Sequence, residues 1–534
     1  MHSVNSSSAQ AEQFRQLQSQ LRDRWHSVDF FDHDDYDIVV VPSVSMDQRE
    51  LKKVQGFLHY EERLLFSLIR LRNPRTRLIY VTALPLSPII IDYYLQLLPG
   101  IPFSHARDRL LLLSTYDASL KPLTQKILER PRLMERIRQA LRPQKSYMVC
   151  YNSTDLEREL SVQLGIPLLA PDPDLLYWGT KSGSREIFAE SGVPFPDGSD
   201  RVWTADDLAV EAAKLWERRP ELKRMVIKLN EGFSGEGNAI LDLRMIPEVA
   251  PPKGSHDSRV AAIHERMEHL SFQASAETWE NFSSRIPELG ALAEAFIEGE
   301  EKRSPSVQGY ITPDGEVEIL STHDQILGGP DGQIYLGCEF PADQAYRLRL
   351  QDLGMRIGRT LAKKGAIERY GVDFVAVHQP ESSGVKWDLQ AIEINLRKGG
   401  TTHPLMTLKY LTNGRYDLST GLFYSHQGRE KYYIATDNLQ KERYQGLIPN
   451  DLMDIIAHHR LHFDGSTSTG NVFHLMGALS EFGKLGLTSI GDSLQQAQDL
   501  YNQVVKVLDE ETSSNAQCTP QSSYPTTPIA WSQS

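Results

Sequence analysis

The sequence predicts an α/β chain whose second part turns α+β. Between residues 37 and 151, four short apolar runs (Asp-Ile-Val-Val-Val, Arg-Leu-Ile-Tyr-Val-Thr, Arg-Leu-Leu-Leu-Leu and Tyr-Met-Val-Cys-Tyr) are separated by segments of helical spacing. Strands that alternate with helices imply a parallel sheet. Beyond about residue 170 the punctuation changes to hairpins: a glycine-rich turn joins two apolar runs near 230–240, and Pro313-Asp314-Gly315 joins two more. The length, 534 residues, exceeds one compact domain and predicts two to four.

In chain order, residues 1–28 form a polar leader with a helix at 11–25. A buried strand at 37–41 ends at Pro42. Residues 48–72 have helical spacing, with Leu58, Leu64, Leu65, Ile69 and Leu71 apolar. Strands follow at 77–82, 109–113 and 147–151, with a helical segment at 121–141. No G-x-G-x-x-G follows any of these strands, which excludes a dinucleotide site there. Next come Tyr177-Trp178-Gly179-Thr180-Lys181, a helix at 184–191 and Gly192-Val193-Pro194-Phe195-Pro196. The strand at 224–229 carries Lys228 near its end. The glycine-rich turn after it feeds a strand rather than a helix and lacks a terminal Lys-Ser/Thr, so it is no P-loop. Glycines there let the backbone approach phosphate oxygens.

Residues 245–280 are polar and read as a surface insertion around a helical piece at 259–270. A strand and turn occupy 291–299, a hairpin 307–311 with 317–321, and a long amphipathic helix 345–365. Strands at 370–377 and around 393–397 flank a turn at 379–384, which predicts an antiparallel pair. A helix at 405–411, a strand at 429–435, a helix at 451–459, an element from 474 to 479 and a helix at 492–509 complete the order. Residues 511–534, rich in Ser, Thr, Gln and Pro, read as disordered.

Composition narrows the function. Apolar residues make up 40% and charged residues 24%, as in soluble proteins. A net charge of −13 argues against a nucleic-acid partner. Cys150, Cys338 and Cys518 share no metal spacing and no disulfide pattern, which favours a reducing, cytoplasmic setting. The N-terminus shows no secretory signal. The most apolar stretch, 78–103, is broken by Pro85, Pro88, Asp92 and Pro99, so no membrane partner is expected.

The chemistry concentrates at Glu393-Ile394-Asn395-Leu396-Arg397. Side chains alternate along a strand, so Glu393, Asn395 and Arg397 share one face, with Ile392 and Ile394 on the other. Asp373, a lone acid in an apolar strand, is brought beside them by the antiparallel pairing. Oxygen donors suit a hard cation such as Mg2+, and the arginine suits a developing anion. Singly, each residue has a plainer reading: Glu393 as a solvated strand acid, Lys181 and Lys228 as surface lysines, Glu294 and Glu301 as hinge and turn acids, His403 as a loop residue. Their joint order carries the weight.

That order is a lysine before a helix, Gly-Val-Pro-Phe-Pro, a lysine on a strand, a glycine hairpin, Glu-Ala-Phe-Ile-Glu-Gly-Glu-Glu, an acid on a strand, then Glu-Ile-Asn-Leu-Arg. Over about residues 165–405 it resembles the ATP-grasp superfamily of carboxylate–amine (or thiol) ligases, and the sheet before it resembles the pre-ATP-grasp domain. The run Arg-Lys-Gly-Gly-Thr-Thr-His-Pro resembles the pheganomycin-type peptide-ligase branch. The resemblance implies domains at 29–170 (pre-ATP-grasp), 171–295 (lid subdomain), 296–425 (metal subdomain) and 426–510 (C-terminal α/β extension), between the leader and the tail. It implies ATP and Mg2+ as cofactors, with Mn2+ able to substitute. Lys181 and Lys228 would neutralise phosphates. Gly232, Ser234, Gly235 and Gly237 would fold over them as a lid. Glu294 would sit at the hinge, the backbone of Ala295 and Ile297 would read adenine, and Glu301 would take the ribose. Asp373, Glu393 and Asn395 would hold the metal, and Arg397 the substrate carboxylate or its oxyanion. His323, Asp324 and Gln325 occupy the place of a further basic group in that superfamily and, with His403, are the candidate substrate contacts. The implied activity joins a small-molecule carboxylate to an amine, amino acids or peptides among them, through an acyl phosphate. The oligomeric state stays open, a homodimer included. The alternative is an ATP-binding regulatory or scaffold protein without turnover. A biotin-dependent carboxylase would need a separate carrier, since no Met-Lys-Met occurs.

Overall fold

After helix His2–Trp25, four parallel strands form the first sheet of the computed structural model, which describes residues 2–25, 35–46, 48–98, 100–231, 237–273, 277–328, 334–379 and 386–513. Their order across the sheet is Leu110–Ser114, Arg77–Thr82, Asp37–Val41, Ser146–Cys150. All five residues of Asp37–Val41 are buried. A parallel strand covered on both faces needs such a continuous apolar run rather than alternation. The two outer strands lie one residue away from their expected positions.

The helical stretch expected at 48–72 is two pieces, Gln48–Lys53 and a 3-10 helix Phe57–Arg72, parted at Gly56, whose φ of 74° favours glycine. The stretch at 121–141 divides into Leu123–Leu128 and Pro131–Ala140, because Pro131 has no N–H to continue a helix but fits the start of one. The helices that escaped the sequence reading include Pro88–Gln96, Asp155–Leu164, Ala205–Arg218 and Trp279–Leu289.

An antiparallel sheet follows, ordered Ser271–Phe272, Asn238–Asp242, Arg224–Leu229, Ala291–Ala295. Helix Ala205–Arg218 lays Leu208, Ala212 and Trp216 on it. The stretch at 245–280 is no surface insertion. Its helix His256–Met267 buries Ile263 and Met267 in the same core, and Ser271–Phe272 pairs with Asn238–Asp242.

The third sheet has eleven strands, and every described pairing in it is antiparallel. Its first five are Trp387–Asn395, Glu368–His378, Pro305–Ile311, Val317–Gly328 and Ile334–Phe340. Helix Arg347–Lys363 covers one face with Leu350, Leu353, Ile357 and Leu361, the i, i+3, i+4 stripe of an amphipathic helix. Close approach is possible because Gly358 has no side chain: a Cβ there would lie 2.2 Å from the Tyr370 hydroxyl. Val317–Gly328 runs seven residues past its expected end at 321, so His323, Asp324 and Gln325 sit within a strand.

The C-terminal elements do not pack alone. Strand Glu430–Gln440 joins the large sheet, while Val472, Phe473, Leu487 and Val504 share one core with Leu65, Ile69, Tyr80 and Tyr94 of the N-terminal part. Among the described residues no helix is long and apolar enough to cross a membrane. The expected disordered tail, from 514 on, and most of the turn at 379–384 lie outside the described residues.

Candidate functional site

A cavity of about 890 Å³ opens between the antiparallel sheet and the uncovered face of the large one. Its floor is the strand pair anticipated from the sequence. Asp373 lies directly opposite Glu393, and Gly371 opposite Asn395. Residues that face each other across an antiparallel pair lie on one side of the sheet, so the two carboxylates adjoin. A bulge after Asp373 sets Phe374 opposite Ala391. It also brings Ile392 to the cavity lining, against the expectation that it faces away.

These side chains form one hydrogen-bonded group. Asn395 Nδ2 donates to Asp373 Oδ2 (3.0 Å), and Gln325 Nε2 donates to Asp373 Oδ1 (2.6 Å). Lys181 Nζ donates to Glu393 Oε1 (2.8 Å). Burial and then the charge of Glu393 push the Asp373 carboxyl up to about 6. Burial also opposes ionisation of Glu393, but Lys181, Lys228 and Arg397 outweigh it and hold that carboxyl below its usual range. Arg397 lies beyond the strand end at Asn395, lines the cavity and donates to Lys398 O (3.1 Å).

Lys181 is the first residue of helix Lys181–Ser191, capped by Thr180. A cation at a helix N-terminus opposes the macrodipole. The ion pair with Glu393 compensates for that local conflict. Lys228 Nζ donates to Glu294 Oε2 (2.6 Å) with both side chains buried, and Arg185 reaches the other oxygen at 3.4 Å. Ala295, Phe296 and Ile297 line the cavity beside Val226 and Phe374. The Ala295 N–H is committed to Asp197 O (2.8 Å).

Other expected residues are placed differently. Glu301 is outside the lining; it is exposed, with Arg303 at 3.5 Å. Gly232, Ser234 and Gly235 lie outside the described residues, while Gly237 accepts a backbone bond from Leu229 (2.9 Å). Asp324 lines the cavity, and its carboxylate accepts from Tyr346 OH (2.5 Å) and Asp343 N (2.8 Å). His323 is not brought to the cavity. It is fully buried against Phe340 and Tyr433, hydrogen-bonds the Tyr433 hydroxyl (2.5 Å), and burial pushes its imidazole down to about 3. His403 is likewise buried and stacks on His474 at 4.0 Å. The lining also contains Ser306, Gln308, Tyr335, Arg63 and Tyr151, none anticipated. Ser306 and Gln308 alternate on one strand, a weak signal; Arg63 had none.

The donor set fits a hard divalent cation. Two adjoining carboxylates repel each other, which adds to burial in raising Asp373, and the Asn395 amide oxygen is a third oxygen donor beside them. Among the described residues no group of three or more His, Cys, Asp or Glu could hold a metal.

Comparison with known proteins bears on this geometry. Residues 174–419 match a family described as IQCH-like, ATP-grasp, and residues 451–504 match the PGM1 C-terminal domain. L-propargylglycine–L-glutamate ligase of Streptantibioticus cattleyicolor is 30% identical over 481 residues, 88% of this chain and 93% of that protein. IQ motif-containing protein H of Danio rerio is 24% identical over 420 residues, 72% of this chain but 39% of that longer protein. Among solved structures, the biotin carboxylase domain of Hydrogenobacter thermophilus 2-oxoglutarate carboxylase, in complex with MgADP, ADP and bicarbonate, has a TM-score of 0.51 at 13% identity. The likeness covers 88% of both chains and is one of fold.

Proposed function

The chain belongs to the ATP-grasp superfamily, in its peptide-ligase branch, and from that premise we propose that it is an ADP-forming carboxylate–amine ligase acting on amino acids or peptides. The observation that carries this reading is the convergence of Asp373, Glu393 and Asn395 in one cavity with the buried Lys228–Glu294 pair, while Lys181, outside the lining, pairs with Glu393. A relative named for L-propargylglycine and L-glutamate supports amino acids as the substrate class.

ATP binds with its base among Ala295, Phe296, Ile297 and Val226 and its phosphates near Lys228. Asp373, Glu393 and Asn395 would hold Mg2+, which would supply charge neutralisation for the phosphates. Lys181 positions the Glu393 carboxylate. A substrate carboxylate oxygen takes the γ-phosphoryl group; the bond to the β,γ-bridging oxygen breaks, and ADP leaves. An amine nitrogen then attacks the acyl carbon. The C–N bond forms, the C–O bond to phosphate breaks, and the nitrogen's proton passes to solvent. Arg397 stabilises the oxyanion that forms between these events. No serine or cysteine nucleophile is required.

The test is ADP release from Mg-ATP across a panel of amino acids and short peptides, with hydroxylamine added to trap an acyl phosphate as a hydroxamate. Acid-dependent release and a hydroxamate are expected. ATP binding with no acid or amine that stimulates turnover would refute the reading. That result would favour the second one, an ATP-binding protein without turnover, for which the match to the IQCH-like family is the specific support.

A further inference from the structure

Past Arg397 the cavity is walled by parts of the chain far from the metal strands. The loop after Arg397 returns to the N-terminal part: Lys398 N donates to Tyr151 O (3.1 Å), and His403 Nδ1 meets Arg63 O at 3.1 Å. Arg63 and Tyr151 line the cavity there beside Tyr335, Gly400 and Thr401. Gly400 makes room, since a Cβ on it would lie 2.8 Å from the Tyr335 ring.

The Arg63 guanidinium is held on several sides. Nη2 donates to Asp437 Oδ2 (2.5 Å), Nη1 donates to the Tyr151 hydroxyl (3.1 Å), and the plane lies over the Tyr60 ring at 4.0 Å. Asp437 in turn meets His474 Nε2 through its other oxygen (2.6 Å), and His474 stacks on His403 at 4.0 Å. Burial opposes ionisation of Asp437, but Arg63 and then His474 outweigh it and keep the carboxylate charged. A guanidinium carries five N–H donors. One N–H of Nη2 and one of Nη1 are committed to Asp437 and Tyr151, so each of these nitrogens keeps a second, while Nε is buried, closed to a ligand and without an acceptor among the described residues. The planar fork is thus fixed in direction and incompletely satisfied.

We propose that Arg63, aimed by Asp437, binds the carboxylate of the incoming amine substrate, so that the N-terminal sheet and the C-terminal strand Glu430–Gln440 together build the acceptor subsite. This rests on the ligase reading above. A fork of parallel N–H groups matches the two oxygens of a carboxylate. The position past Arg397 places that anion beyond the acyl carbon, with the amine directed back toward it. Arg63 contacts substrate; Asp437 is a positioning residue that acts through it, as outer-shell carboxylates do elsewhere.

Hydroxylamine is an acceptor with no carboxylate, so the two acceptors can be set against each other. The full-length protein is given Mg-ATP, a mixture of the twenty L-amino acids and hydroxylamine, and dipeptides and hydroxamates are counted by mass spectrometry. In Arg63→Met the ratio of dipeptide to hydroxamate should fall about tenfold to about a hundredfold, the scale of a hydrogen bond to a charged group. Arg63→Lys, which keeps the charge but not the fork, should give an intermediate ratio and serves if Arg63→Met does not fold. Asp437→Asn should raise the KM for the amine with kcat retained. An unchanged ratio in Arg63→Lys, or parallel loss of both products, would overturn the assignment. Neither product from the wild type would instead overturn the ligase reading, and this inference with it.

Discussion

Glu393→Gln changes one atom and removes one charge, and its effects separate by pH. Lys181 is 4% exposed and Glu393 27%, so the ion pair is largely shielded from solvent. A glutamine oxygen still accepts from Nζ, and the loss is that between a charged and a neutral hydrogen bond, about 2 kcal/mol. Asp373 gains in exchange. Ionising a carboxyl held at about 6 rather than at about 3.9 costs about 3 kcal/mol extra. Burial accounts for the larger share and Glu393 for the next, so about 1 kcal/mol returns when Glu393 is neutral. An acid whose folded pKa is raised weakens the fold as pH climbs from about 4 through about 6. The repulsion is therefore present at about pH 7.5 and absent at about pH 5, where Asp373 is protonated. The expected destabilisation of Glu393→Gln is about 2 kcal/mol at the lower pH and about 1 kcal/mol at the higher, read from urea unfolding without nucleotide. Acid-dependent ADP release should fall by about a hundredfold or more, since a metal ligand is worth several kcal/mol. A destabilisation equal at both pH values, or larger at the higher, would refute the coupling between the two carboxylates.

Other outcomes follow from the same geometry. Lys228→Met leaves buried Glu294, among the described residues, with Arg185 at 3.4 Å; the melting temperature should drop as for a loss of about 3 kcal/mol, and a Lys228→Met/Glu294→Leu double variant should recover part of the loss. Because the Asp373 carboxyl stands at about 6 without metal, divalent-cation affinity of the nucleotide-free protein should weaken about tenfold per pH unit below about 6, and titration with Mn2+ followed by electron paramagnetic resonance would show it; Asp373→Asn should remove that dependence. His323→Phe should alter stability by about 1 to 3 kcal/mol through the lost bond to Tyr433 while the KM values stay unchanged; a fall in kcat without a change in melting temperature would place His323 in the chemistry.

Much of the fold was legible because local pattern and tertiary role agree. Asp37–Val41 and Arg224–Leu229 are apolar runs that end where the strands end. Asp373 and Glu393 stood out as acids in such runs, and period-2 alternation put Glu393 and Asn395 on one face. What was hidden depends on distant partners. The strand expected to stop at Ser321 continues because Thr322 and His323 are fully buried in spite of their polarity. Ile263 and Met267 form a stripe two residues wide in a polar stretch, too narrow to announce a core helix. Arg63 meets Asp437, 374 positions on, and no local signal encodes that pairing.

The measurement closest to the central claim follows oxygen. Amino acids labelled with 18O in their carboxyl groups are supplied with Mg-ATP, and the phosphate released is examined by mass spectrometry. Transfer of the γ-phosphoryl group to a carboxylate moves one labelled oxygen into each phosphate, alongside ADP and an amide. Phosphate that carries no label, or AMP and pyrophosphate in place of ADP, would contradict the acyl-phosphate chemistry assigned to Asp373, Glu393, Asn395 and Arg397.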